Sequence, residues 1–388
     1  MTRVALVHDW LDTWGGGEAV LAELTRAFPR SDVYTLVDFL APAERARIDA
    51  ARIVCSPLTR LPGAKRWFRY AAVVWPSLIE RFDLSGYDLI LSDSHAIAKG
   101  ARKRNGGQVH VCYCHTPARF AWTMESTYTD VSAAGSASRR WLTRRALANF
   151  RAWDLRAAAR VDRFVANSRH IAQTIERCYG RTADVIYPPV DVERFARAAA
   201  DHAEVKSGDY VTLSRLVPYK RIDVIVEAFR SMPQHRLVVI GDGPERAALA
   251  AVCPPNVRLV GRLDDDATAA QLARARAFVF AAEEDFGIAP IEAQAAGLPV
   301  IAYGRGGALE TIRGLDDARP TGVLFDEQTP AAVAAAVRAF EAAAARVSTS
   351  ACRESAARFT AVRFRTEIKR IVDDALARVP AGATIATA

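Results

Sequence analysis

Short runs of apolar, often β-branched residues recur along this chain, each followed by a loop and then by apolar positions at helical spacing. The first run, residues 4–7, precedes Gly15-Gly16-Gly17 and a periodic stretch opening at Glu18. Further strands are predicted at residues 32–36, 88–92, 108–114, 163–166 and 184–186. Pro188-Pro189 then removes two backbone donors and biases Tyr187 towards extended geometry, which marks a boundary. A second series follows at 210–214, 236–240, 257–260, 277–280 and 299–302. Alternating strands and helices predict open parallel sheets covered on both faces. The fold class is therefore α/β, with two Rossmann-like domains facing each other across a cleft: residues 1–187, residues 188–365, and a last helical stretch, 366–388, that crosses back to the first domain. Ligands of such sheets bind beyond the carboxyl ends of the strands, so functional residues are expected just after strands in both halves.

Composition narrows the class. With 388 residues, 51% of them apolar, the chain has the material for two cores and is not a disordered polymer. The net charge of +8 is unevenly placed: residues 1–200 hold 29 Lys and Arg against 20 Asp and Glu, whereas the rest hold 23 against 24. Six scattered cysteines show neither a CxxC spacing nor a His-rich partner segment, so neither zinc nor a disulfide framework is indicated. Cys112 and Cys114 would share one face of a strand and pack there. The apolar run at the N-terminus is too short for a signal peptide, and no run approaches a membrane span. A cytoplasmic protein with at most peripheral membrane contact is expected.

Four segments carry candidate chemistry. Gly15-Gly16-Gly17-Glu18 opens a helix after the first strand, which suits an anion cradle as well as a plain tight turn. Arg215 and Lys220, in SRLVPYKR, follow a strand and offer a planar fork and a point charge to a diphosphate, or form an exposed basic turn. In Glu284-Asp285-Phe286-Gly287-Ile288-Ala289-Pro290-Ile291-Glu292, two carboxylates flank backbone amides at a helix predicted to begin at Pro290. Carboxylates so spaced can accept from the hydroxyls of a ribose and a hexose, although Glu292 is also an ordinary helix-start acid. His115 closes the strand of CYCHTP, and His95 and Lys99 lie in SDSHAIAKG.

Taken together, these segments resemble the retaining, GT-B-fold glycosyltransferases of family 4. Glu284 and Glu292 match its Glu-x7-Glu motif, Arg215 and Lys220 its SR-x4-K, and residues 241–245 its GDGPE. VHDW…GGGE and CYCHTPARFAW resemble a bacterial polysaccharide and O-antigen mannosyltransferase subgroup. The resemblance runs from residue 4 to about 325 and implies an acceptor-binding first domain and a donor-binding second one. It gives catalytic duties to His115, Arg215, Lys220 and Glu284. It places the donor against Gly16, Gly17, Phe286, Gly287, Ile288 and Glu292, with Asp265 at the position that reads a guanine edge. His95 and Lys99 are assigned to the acceptor side. It implies retention of configuration, a GDP-mannose donor or, as the alternative, a UDP-sugar, a polyprenyl-diphosphate-linked glycan acceptor and no divalent metal or other cofactor.

The basic excess clusters in RLPGAKRWFRY (60–70), with Trp67, Phe68 and Tyr70, and in residues 139–163, with Trp141, Phe150 and Trp153. Basic segments with aromatics suit an anionic membrane surface, here the inner face of the cytoplasmic membrane. The same pattern also fits a solvated basic face over core aromatics. Three other classes are weaker. The Arg215/Lys220 pair with Glu-x7-Glu favours transfer over nucleotide-sugar epimerisation; charge alone, without a recognition motif, does not make a nucleic-acid binder; a noncatalytic nucleotide-sugar sensor would bind without turnover.

Overall fold

The computed structural model describes residues 2–123, 137–202 and 207–378. They divide into two compact units, Met1–Pro189 with Phe364–Ala388, and Val190–Arg363.

The first unit is built on seven parallel strands, β1 (Val4–His8), β2 (Asp32–Thr35), β3 (Arg52–Cys55), β4 (Leu89–Ser94), β5 (Val109–Cys114), β6 (Arg163–Ala166) and β7 (Ala183–Val185), in the order β3-β2-β1-β4-β5-β6-β7. Every residue of β1, β4 and β5 is buried. Ala5 and Val7 pack on one side with Ile90, Phe68, Trp75 and Trp153, while Val4 and Leu6 pack on the other with Val20, Leu24 and Phe364. Two-sided burial explains why these strands read as apolar runs without alternation. Helix α1 (Gly16–Ala27) buries Val20, Leu21, Leu24 and Ala27 along one stripe. Helices α2 (Ala137–Arg160) and α3 (Arg169–Tyr179) follow; Ser168 caps α3 by accepting from Ile171 N, and Gly180 ends it in the left-handed region.

The second unit has six parallel strands, β8 (Tyr210–Leu213), β9 (Leu237–Ile240), β10 (Val257–Gly261), β11 (Ala277–Phe280), β12 (Val300–Tyr303) and β13 (Gly322–Phe325), ordered β10-β9-β8-β11-β12-β13. Its helices include α4 (Val192–Asp201), α5 (Ile222–Arg230), α6 (Asp265–Arg274), α7 (Ile288–Ala295) and α8 (Pro330–Ala343). Alanine-rich α8 is capped by Thr329 and buries Val333, Val337 and Phe340 at positions one turn apart. The last helix, α9 (Ala361–Ala377), places Phe364, Ile368, Ile371 and Val372 in the core of the first unit.

In both sheets the strand order reverses once, between β1 and β4 and between β8 and β11. Connections diverge to opposite faces at such a point and leave a crevice at the carboxyl ends. The structure adds two edge strands, β3 and β13, that the apolar pattern did not single out. Helix α7 begins at Ile288, so Pro290 is its third residue and Glu292 lies in its second turn. A proline fits there because that amide also lacks a helical acceptor. Of the aromatics in the basic segments, Phe68, Phe150 and Trp153 are core residues, whereas Tyr70 and Trp141 are exposed. The side chain of Arg139 and residues 379–388 of the predicted C-terminal stretch lie outside the described residues. Among the described residues no helix is long and apolar enough to cross a membrane.

Candidate active site

In the second unit the residues meet at the β8/β11 reversal. The loop after β8 carries exposed Arg215 and ends in a 3-10 turn at Lys220, with Arg221 in the left-handed region at φ 53°. The loop after β11 carries Glu284, and Lys220 Nζ forms an ion pair with Glu284 Oε1 that joins the two loops. Both loops are held by backbone packing. Gly241, at φ 132°, and Gly243 lie so close to the carbonyls of Ser214 and Leu216 that neither position has room for a Cβ. Leu216 N donates to Asp242 O at 2.9 Å, which fixes the height of the Arg215 loop. Gly306 and Gly307 press likewise on the backbone of Glu284 and Phe286, and Gly307 N donates to Glu284 O at 2.8 Å. The GDG and GRGG segments are thus buttresses for the charged loops.

Phe286 is buried against Phe359, 5.4 Å between ring centres, and Gly287 turns at φ 87° to cap α7. The first amides of α7, at Ile288 and Ala289, lack helical acceptors and carry the positive end of the helix dipole. Glu292, one turn on, lines a cavity of about 210 Å³ together with Arg194, Leu213, Gly241, Arg262 and Asp265. Asp265 Oδ2 accepts from Arg194 Nη1 at 2.8 Å, and Asp264, rather than Asp265, caps α6 by accepting from Ala267 N. Burial pushes the Glu292 carboxyl up to about 7, aided by the negative charges of Asp265 and Asp191 and opposed by Arg194. Arg194 was not legible as a site residue, since it belongs to a helix far in sequence from the loops it meets.

In the first unit a second constellation sits at the β1/β4 reversal. Asp93, fully buried at the end of β4, accepts from His8 Nδ1 at 2.9 Å and from His115 Nε2 at 2.6 Å. Asp9, also fully buried, accepts from the amides of His95, Ala96, Ile97 and Ala98 at 2.5 to 3.0 Å, and from His95 Nδ1 at 2.9 Å. Burial alone would raise both carboxyls, but the imidazoles facing them hold both below the usual carboxylate range. Gly16 and Gly17 form the first turn of α1, and a Cβ on Gly17 would lie 3.7 Å from His8 Cε1 and 4.0 Å from His115 Nε2. The glycine turn therefore lies over both rings. His8, Asp9 and Asp93 were not among the sequence candidates; charged residues closing apolar strands, in VHDW and SDSH, are the signal that could have found them.

Lys99 belongs elsewhere. Its side chain is fully buried, and Nζ lies 2.6 Å from Asp154 Oδ1 and donates to Ala96 O at 2.7 Å. Asp154 Oδ2 also accepts from Trp122 Nε1 and Tyr179 Oη. A lysine so enclosed does not face an acceptor; it tethers α2 to the turn after β4. His95, by contrast, remains partly open, edge-on to Trp10.

Comparison with known proteins places these features in a family. Residues 14–194 match the model described as Glycosyltransferase Family 4, and residues 195–357 match Glycosyl transferases group 1. A GDP-mannose-dependent alpha-(1-6)-phosphatidylinositol monomannoside mannosyltransferase from Mycobacterium tuberculosis is 33% identical over 185 residues, covering 41% of this chain and 47% of that protein. A D-inositol 3-phosphate glycosyltransferase from Salinispora arenicola is 29% identical over 207 residues, 45% of each chain. The chain thus spans about half the length of the curated relatives it matches. Among solved structures, the Anabaena HepE protein in complex with UDP superposes with a TM-score of 0.67 at 17% identity, over 96% of this chain and all of that one. Sucrose-phosphate synthase from Thermosynechococcus elongatus gives 0.68 at 19%, over 97% and 100%. At those identities the likeness is one of fold. With two parallel-sheet Rossmann-like units and both domain models in order along it, the chain carries a Family 4 glycosyltransferase domain followed by a group 1 glycosyltransferase domain on a GT-B fold.

Proposed function

We propose that this chain is a retaining, metal-independent hexosyltransferase that moves mannose from GDP-mannose to a polyprenyl-diphosphate-linked glycan in the synthesis of a bacterial surface polysaccharide. The observation that carries the reading is the Lys220–Glu284 pair at the β8/β11 reversal, with exposed Arg215 on the same loop. A bound diphosphate draws Lys220 and Arg215 to its oxygens, and the freed Glu284 carboxylate accepts from sugar hydroxyls. The amides heading α7 face the phosphate and sugar. Charge developing on the leaving diphosphate then meets fixed donors, the arrangement that most lowers such barriers. The acceptor hydroxyl attacks C1 on the face the diphosphate leaves, through an oxocarbenium-like state: the C1–O bond to the diphosphate breaks, the new C1–O bond forms, and the hydroxyl proton passes to the departing phosphate oxygen.

Gly16 and Gly17 fit a role against the donor diphosphate. Neither has positive φ, and a Cβ on Gly17 would meet only ordinary contacts, so the fold itself does not require glycine there. What glycine leaves is room for a ligand to reach the first amides of α1. In the nucleotide cavity, Glu292 takes the ribose diol and Asp265 exchanges Arg194 for the adjacent N–H donors of a guanine edge. The name of the Mycobacterium tuberculosis relative supports the same donor.

Calorimetric titration with GDP, UDP, ADP and dTDP tests this assignment. GDP is expected to bind tightest; a preference for UDP overturns the donor. Below pH 7 the Glu292 carboxyl is protonated, and above it the carboxylate can accept both ribose hydroxyls. GDP affinity should therefore rise between pH 6 and pH 8, and Glu292→Ala should weaken binding and flatten that rise.

The lipid-linked acceptor calls for a membrane-facing surface on the inner leaflet. Tyr70 is 88% exposed and Val73 79%, with Leu61 and Val74 also open, and the exposed cations Arg60, Lys65 and Arg66 lie around them in the chain. Rings and aliphatic groups can enter the headgroup region while the cations meet anionic lipid. Flotation with liposomes containing anionic lipid should capture the protein at low salt and release it at high salt. Equal flotation with neutral lipid would remove the electrostatic part of this reading.

A further inference from the structure

The histidines of the first unit hold more than the family motif asks of them. Three strand ends and one helix converge there: His8 and Asp9 from β1, Asp93 and His95 from β4, His115 from β5, and Glu18 from the first turn of α1. Asp93 has no exposed surface, and each of its oxygens takes one imidazole. A buried carboxylate flanked by two imidazoles is deprotonated, so the nitrogens facing it, His8 Nδ1 and His115 Nε2, must carry the hydrogens. That leaves Nδ1 as the nitrogen of His115 not committed to Asp93.

We propose that Asp93 is a positioning residue of the transfer: by clamping His8 and His115 together, it fixes the His115 ring under the glycine turn with Nδ1 left for a substrate oxygen, and keeps that nitrogen a hydrogen-bond donor. The proposal rests on the glycosyl-transfer reading for its reaction and on the first unit alone for its geometry. Burial by itself would discharge the His115 ring; the Asp93 carboxylate 2.6 Å away outweighs it and raises the pKa, with Asp9 adding to the effect. His8 works against this as a second cation on the same carboxylate. It is itself held charged by Asp93 and by Glu18, whose Oε1 lies 3.8 Å from His8 Nε2, a nitrogen with no hydrogen-bond partner. Around the His115 ring stand Asp93, His8, Asp9 and His95, with the Tyr113 ring 5.2 Å away edge-on. The cluster thus contains opposing levers on one ring.

Those levers make the test two-sided. Asp93→Asn keeps the side chain's size and one acceptor but removes the charge, so the His115 ring should lose its proton at lower pH. His8→Gln keeps a donor to Asp93 but removes the competing cation, so the His115 ring should hold its proton to higher pH. Nitrogen-15 NMR of labelled imidazoles in the full chain reads both shifts without any donor sugar. With GDP-mannose and acceptor, the alkaline limb of the kcat profile should move down in Asp93→Asn and up in His8→Gln, with activity falling about tenfold per pH unit beyond each limb. A uniform loss at every pH in Asp93→Asn, with the His115 titration unmoved, would overturn the proposal. Should Asp93→Asn not fold, His8→Gln decides alone, since an unshifted His115 titration overturns the clamp. If the NMR shifts appear but no donor supports transfer, the transfer reading fails, and with it the assignment of Asp93 to a reaction, while the clamp stands as a structural fact.

Discussion

Lys220→Ala is expected to lower kcat by about 10²–10³-fold with GDP-mannose, the loss typical when one preorganised donor to a developing oxyanion is removed. The effect should fall on kcat more than on KM, because the charge that Lys220 meets grows as the bond to the diphosphate breaks. The ion pair with Glu284 keeps the ammonium at the reversal point, within the loop that the diphosphate is proposed to meet. Arg215→Ala should lose a comparable factor, and Arg215→Lys should recover little of it, since a point charge does not replace a planar fork. Steady-state kinetics check both; wild-type turnover in either alanine variant would refute the diphosphate role.

The largest effect on stability is expected at Lys99. Both Lys99 and Asp154 are fully buried, and removing one partner of such a pair strands the other charge, at a typical cost of about 3–5 kcal/mol. At roughly 2–4 °C per kcal/mol for a unit of this size, Lys99→Met should lower Tm on the order of 10 °C. The double variant Lys99→Met/Asp154→Asn should recover more than half of that fall. It removes both charges while the asparagine carbonyl still accepts from Trp122 and Tyr179. Scanning calorimetry decides this. An unchanged Tm in the single variant, or a double variant no better than it, would show that the pair is not what holds α2 to the sheet.

Lys99 also shows where sequence reading stops. In SDSHAIAKG a lysine four residues after a histidine has the look of a solvent-facing group at a site. Its fate was set by Asp154, 55 positions away on α2, and no local pattern announces that pairing. His95, in the same segment, stays partly open because Asp9 anchors its backbone and its ring edge at once. The start of α7 was misjudged for a local reason. Proline reads as a first helical residue, but the left-handed turn at Gly287 lets the helix open two residues earlier. Likewise Phe68, Phe150 and Trp153 share their segments with cations yet fill the core, because a helix face is assigned by what packs on it, not by the charge of its neighbours.

Most of the architecture was legible, and for a physical reason. Strands buried on both faces need unbroken apolar runs, their crossovers need helices, and the chemistry of such sheets collects at their carboxyl ends. Those constraints are local in sequence, so the two series, the glycine turn and the paired cations and carboxylates could be read directly. Strand order is not local. Only the assembled sheets put β4 between β1 and β5 and β8 beside β11, and so brought both His8 and His115 to one buried carboxylate and Lys220 to Glu284, while the packing of α4 on α6 brought Arg194 to Asp265. The sequence determined which charges the chain carries to its strand ends; the tertiary structure decided which of them meet. Burial raised the Glu292 carboxyl, whereas at Asp93, His8 and His115 the facing partners outweighed burial, because an ionised group taken from water keeps its charge only beside a partner.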